Sequence, residues 1–82
     1  MEHELKTWPV YFSRVKSGDK TFEVRKCDRD FQIGDFLKLK EFNPDNGEYT
    51  GNEVCVYVKY ILHGGGFGIQ DGYCVMAIEI DQ

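Results

Sequence analysis

Only one stretch of this chain, residues 8–17, carries the punctuation of a helix. Pro9 stands in a first turn, where its missing N–H costs nothing, and Thr7 ahead of it is a candidate N-cap. Trp8, Tyr11, Phe12 and Val15 recur at helical spacing, and Gly18 supplies a stop. A helix of about 9–10 residues does not hold itself together in water, so it must lie against a sheet.

The remainder alternates with period two. Residues 3–6 form a short strand with His3 and Leu5 on one face, and residues 21–26 form a second. In residues 35–42, Leu37 and Leu39 alternate with Lys38 and Lys40. Residues 53–62 make the longest run, with Val54, Val56, Val58 and Tyr60 on one face and Cys55, Tyr57 and Lys59 on the other. Residues 73–80 close the chain with Met76, Ile78 and Ile80 inward. Between these lie a loop over residues 27–34, the turn Asn43-Pro44-Asp45-Asn46-Gly47 continued by residues 48–51, and a loop over residues 63–72 with five glycines. The order β-α-β-β-β-β predicts a mostly β (α+β) domain spanning residues 1–82. Its expected form is a small barrel of five or so curved, mostly antiparallel strands capped by the one helix.

Eighty-two residues hold one core and no second domain. No apolar run approaches the roughly 20 residues needed to span a bilayer, and the acidic start Met-Glu-His-Glu does not resemble a leader peptide. Cysteines 27, 55 and 74 are odd in number and widely spaced, which fits free thiols in a cytoplasmic protein. With no C-x2-C or H-x3-H pair, neither a metal site nor another cofactor is expected.

The net charge of −4 argues against general affinity for polyanions. Its distribution is uneven, however. Residues 6–29 hold seven basic and three acidic side chains, a surplus of four positive charges, and the other stretches carry eight net negative ones. Such asymmetry steers an anion to one side.

That basic stretch contains the strip Lys20-Thr21-Phe22-Glu23-Val24-Arg25-Lys26. Alternation predicts Thr21, Glu23 and Arg25 on one face, with Phe22 and Val24 on the other. Hydroxyl, carboxylate and guanidinium aligned in this way can read a ligand's donors and acceptors; an exposed Glu23–Arg25 ion pair is the plainer alternative. Lys20 is expected to swing free in the turn, as a phosphate contact or, if buried, a general base. Lys6, Lys26 and Arg29 add cations, although Asp28 and Asp30 can lock Arg29 as a loop clasp. Trp8 is expected in the core, with a stacking platform for a base as the alternative. His3 is expected half-buried, donating to a backbone carbonyl. Phe67, inside Gly64-Gly65-Gly66-Phe67-Gly68, is a candidate flap tip over the cleft.

Taken together, His3-x-Leu5-Lys6, Trp8-Pro9-x-Tyr11-Phe12, Gly18-x-Lys20-Thr21-x-Glu23-x-Arg25, Asp28-Arg29-Asp30-Phe31, Gly34-Asp35 and Glu48-Tyr49-Thr50-Gly51 resemble the DUF3850 group of small bacterial and phage proteins. The Tyr60-Ile61-Leu62 to Tyr73-x-Val75-Met76-x-Ile78 ending extends the likeness along nearly the whole chain. That group looks like a compact form of the ASCH domains, which share a PUA-like barrel. The resemblance implies a cleft beside the helix that takes RNA or a nucleotide-like molecule, with Lys20, Thr21, Glu23 and Arg25 in or beside it. One ASCH relative is an amidohydrolase of N4-acetylcytidine. On that analogy Lys20 would be the base and Glu23, standing where the relative has a threonine, would help position the amide or water. The relative's later glutamate has no counterpart in residues 63–72, where Asp71 is the sole carboxylate. A third alternative is a protein-interaction module presenting the acidic strands.

Overall fold

The computed structural model describes residues 1–82. Its elements follow the expected order: β1 (Glu2–Thr7), α1 (Pro9–Ser17), β2 (Phe22–Lys26), β3 (Phe36–Asn43), β4 (Glu48–His63) and β5 (Tyr73–Ile80). The strands form one sheet in the order β1-β3-β4-β5-β2. β1 runs parallel to β3, and the other three pairings are antiparallel.

This order places β1 and β2, consecutive strands joined only through α1, at opposite edges of the sheet. In a flat five-stranded sheet those edges would lie about 19 Å apart. Here Arg25 of β2 donates to the Lys6 carbonyl of β1 at 2.9 Å, and Arg29 donates to the Glu4 carbonyl at 2.8 Å. The sheet has therefore curled into a half-barrel whose edges approach within one side chain. Two arginines, rather than a backbone ladder, bridge the seam.

α1 begins after Trp8, whose extended backbone makes it the cap, with Pro9 at the start and no side-chain cap. Thr7 is consequently not the N-cap. It is the last residue of β1 and is buried. At the other end Gly18 takes a φ of 87°, and its N–H returns to the Val15 carbonyl. Phe12 and Val15 form the buried face of the helix. Leu5, Val15, Phe31, Leu37, Leu39, Val56, Val58, Cys74, Met76 and Ile78 make the core.

Two irregularities depart from simple alternation. At Lys59 the β4–β5 register shifts, so Val58 opposes Ile78 while Tyr60 opposes Ala77. The extra residue reverses the strand's parity. Tyr60 turns outward, 60% exposed, and Ile61 packs against the core in its place. The second lies where Glu41 faces residues 50–52. One Glu41 carboxylate oxygen accepts from the Thr50 hydroxyl at 2.7 Å and the Asn52 amide at 3.0 Å. Those bonds hold the carboxyl below its ordinary value. Beyond them Phe42 pairs with Tyr49 and Asn43 with Glu48, so residues 48–51 belong to the strand rather than to a connection.

A groove at the open edge of the half-barrel

The polar strip begins one residue late. β2 starts at Phe22, and Thr21 lies before it, its carbonyl accepting from the Ile78 N–H, and it lines a different depression from the one that Glu23 and Arg25 border. Thr21 is thus separated from Glu23 and Arg25. The apolar members of the alternation also point the unexpected way: Phe22 is 45% and Val24 54% exposed, whereas Glu23 is buried.

Glu23 is buried because both of its oxygens are matched. Oε1 accepts from Lys20 Nζ at 2.8 Å and Oε2 from Arg25 Nε at 2.9 Å. Arg25 uses its remaining reach on β1, donating from Nη2 to the Lys6 carbonyl and, at 3.2 Å, to the Thr7 hydroxyl. Lys20 does not swing free. It also donates to the Phe22 carbonyl at 2.6 Å, and its ammonium lies over the Phe22 ring, 4.8 Å from the centroid. A buried carboxylate between two cations is stable only while both remain, since one left unpaired in a low dielectric is costly. The predicted surface ion pair is accordingly a buried clasp across the seam.

Above this clasp lies a groove of about 530 Å³ bordered by Lys6, Thr7, Trp8, Tyr11, Lys20, Phe22, Glu23, Val24 and Arg25. Because it follows the free edge of β2 rather than one sheet face, side chains of both parities reach it. Trp8 is not in the core. It is 52% exposed and stacks on Tyr11, with ring centroids 6.3 Å apart and planes inclined by 22°. The rim thus carries three large aromatic rings that the fold leaves in solvent beside two cations, Lys6 and Lys20.

Next to it is a second, more polar trough of about 430 Å³, sharing Lys6 and Arg25 and adding Lys26, Arg29 and Lys40. Glu4 and Asp28 also line it. Arg29 lies 3.9 Å from Asp28, but its short hydrogen bond goes to β1, so it clasps the seam more than its own loop.

Besides Thr21, two predicted residues lie elsewhere. His3, the second residue of β1, is buried, with Nε2 2.8 Å from Asp35 Oδ2 and its ring edge-on to Phe31. Its partner is a carboxylate rather than a backbone carbonyl. Phe67 is 95% exposed at a loop tip and borders neither the groove nor the trough. Conversely, Tyr11, Phe22, Val24 and Lys40 join the site although alternation or helical spacing assigned them to core or bare surface. The signal available for them was the bracketing of Glu23 by Lys20 and Arg25, which makes inward burial of that carboxylate affordable and forces Phe22 and Val24 out.

The fold is thus a curled five-stranded half-barrel with one helix joining its edges. The chain belongs to the family described as Domain of unknown function (DUF3850), which matches residues 2–78. A protein of Escherichia phage P2, an uncharacterized 12.9 kDa protein in the GpA 3' region, is 42% identical over 52 residues, 63% of this chain. The match spans 46% of that phage protein's length. Among solved structures, that of hypothetical protein PH0355 superimposes with a TM-score of 0.72, covering 99% of this chain and 100% of the other at 19% identity. That likeness bears on the fold. No helix of the chain is long and apolar enough to cross a membrane.

Proposed function

We propose that the chain binds single-stranded RNA or a nucleotide-like molecule along the open edge of its half-barrel. One observation carries the proposal: Trp8, Tyr11 and Phe22 border a concave groove from solvent, with Lys6 and Lys20 beside them. Exposed rings offer stacking faces to bases, and neighbouring ammonium groups meet the phosphates. The trough continues the path with Lys26, Arg29 and Lys40. The acidic remainder of the surface favours a short strand or a single nucleotide over a long duplex, because few phosphates meet cations.

The amidohydrolase alternative gains no support from the clasp. Lys20 Nζ acts as a donor to both Glu23 and the Phe22 carbonyl, and both Glu23 oxygens are occupied. That arrangement presents a cation and a satisfied carboxylate, where a base needs a free lone pair.

Trp8 is the single tryptophan, so its fluorescence reports on the groove alone. Titration with short oligoribonucleotides of each base is expected to quench it saturably. Trp8→Ala, assayed by anisotropy of a labelled oligonucleotide, should weaken binding by about 1–3 kcal/mol, the usual worth of one stacked base. Unchanged Trp8 fluorescence with every oligonucleotide and mononucleotide tested would refute the proposal.

A further inference from the structure

A different corner of the molecule carries its own chemistry. Cys27 continues β2 past its end, its N–H donating to the Gly72 carbonyl at 2.8 Å. Its Sγ lies 4.0 Å from Nδ1 of His63, the last residue of β4, and the two side chains border one cavity of about 340 Å³. Behind them lies Cys74 of β5, fully buried, whose thiol is pushed up by burial and by the neighbouring Cys27 side chain. Thiol and imidazole are thus paired at an opening to solvent, with a second thiol beneath. This is the arrangement in which a cysteine is activated as a nucleophile, the contact tightening once the proton moves.

We propose that Cys27 is the reactive thiol of this protein, with His63 as its proton acceptor, and that the site takes small-molecule disulfides in thiol–disulfide exchange. In the step, His63 Nδ1 accepts the Cys27 proton and the thiolate attacks one sulfur of R–S–S–R. The Cys27–S bond to that sulfur forms as the original S–S bond breaks. The leaving thiolate takes the proton from His63 and departs as RSH. Cys27 is oxidised to a mixed disulfide and the other half of the reagent is reduced, so the disulfide itself is the only oxidant.

The remaining thiols are poorly placed to compete. Burial, reinforced by the Cys27 contact, pushes Cys74 up to about 12. Burial also raises Cys55, with Asp81 and Glu2 adding to it. The charged and titratable groups facing Cys27 are His63 from β4, Cys74 from β5, and Arg29 and Asp30 from the loop that follows it. Of these, Asp30 is already engaged, accepting from the Gln32 amide at 2.6 Å.

The test exposes the native full chain to dithiodipyridine at pH 7, quenches with acid at intervals and maps the modified cysteines by mass spectrometry. Cys27 should be modified first. Cys27→Ser should abolish the fast phase, and His63→Gln should slow it by at least about tenfold at neutral pH. The gap between wild type and His63→Gln should close above about pH 9, where hydroxide removes the proton unaided. First modification at Cys55 in the wild-type chain, which needs no variant to observe, would overturn the proposal. So would an unaltered rate and pH profile in His63→Gln.

Discussion

Glu23 is the residue on which the candidate site is built, and its role depends on having two partners. With Arg25 removed, its Oε2 loses its only hydrogen bond while the carboxylate stays buried. Arg25→Ala should therefore cost about 1–3 kcal/mol by urea denaturation, the usual penalty for a buried acceptor left without its hydrogen bond, since Lys20 still faces Oε1. Arg25→Lys should recover little of it, because one ammonium cannot copy a fork that reaches Glu23, the Lys6 carbonyl and the Thr7 hydroxyl together. A loss below 0.5 kcal/mol, within the range of ordinary surface substitutions, would mean that the clasp does not hold the seam. Trp8 is the opposite case. It is half in solvent, so Trp8→Ala should leave the urea midpoint nearly unchanged while it weakens ligand binding.

Among the elements, β4 shows how a single inserted residue redirects a face. Simple alternation through residues 53–62 places Tyr60 with Val54, Val56 and Val58; the bulge at Lys59 exchanges it for Ile61. Ile61→Ala should accordingly destabilise the protein by about 1–3 kcal/mol and Tyr60→Ala by less than about 0.5. Equal effects would contradict the register shift. The same comparison shows what the sequence could reveal. Strands with strict alternation, such as Leu37 and Leu39 against Lys38 and Lys40, were legible because periodicity alone decides their faces, and Pro9 and Gly18 bounded the helix. The bulges were not: Lys59 carries no glycine or proline signature, and Gly51, at a φ of 96°, reads equally well as a continuation of the turn before it. For the strip, Glu23 and Arg25 were legible as partners, but their direction was not. Whether Phe22 or Glu23 faces inward depends on where Lys20 and the β1 edge lie, and that is tertiary information. Trp8 was misplaced for a related reason: its area favours burial in general, yet the cap position of α1 lies at the open edge.

For the molecule as a whole, two buried groups set opposite limits on stability. Burial alone would raise the Asp35 carboxyl. Hydrogen bonds from His3, the Gln32 N–H and the Met1 ammonium, with the charge of that ammonium, together outweigh it and hold the group below its ordinary value of 3.8. A lowered folded-state value means that the unfolded chain binds the proton more readily. The associated stability is thus present above pH 3.8 and lost as the pH falls through the lowered value. Cys74 works in the other direction: raised from 9.0 to about 12, it contributes stability that is full below pH 9.0 and disappears as the pH climbs towards 12. Urea midpoints measured across pH should fall at both extremes. Cys74→Ala should flatten the alkaline limb and Asp35→Asn the acid one; slopes identical to wild type would contradict these assignments.

Whether RNA follows the seam between β1 and β2, as proposed, can be read from nitrogen–proton correlation spectra of the labelled protein during titration with a short single-stranded RNA. Shifts are expected to concentrate at Lys6, Trp8, Tyr11, Lys20, Phe22 and Arg25, spreading to Lys26 and Arg29 as the strand lengthens. Shifts confined to β4 and β5, or none at saturating RNA, would contradict the proposal.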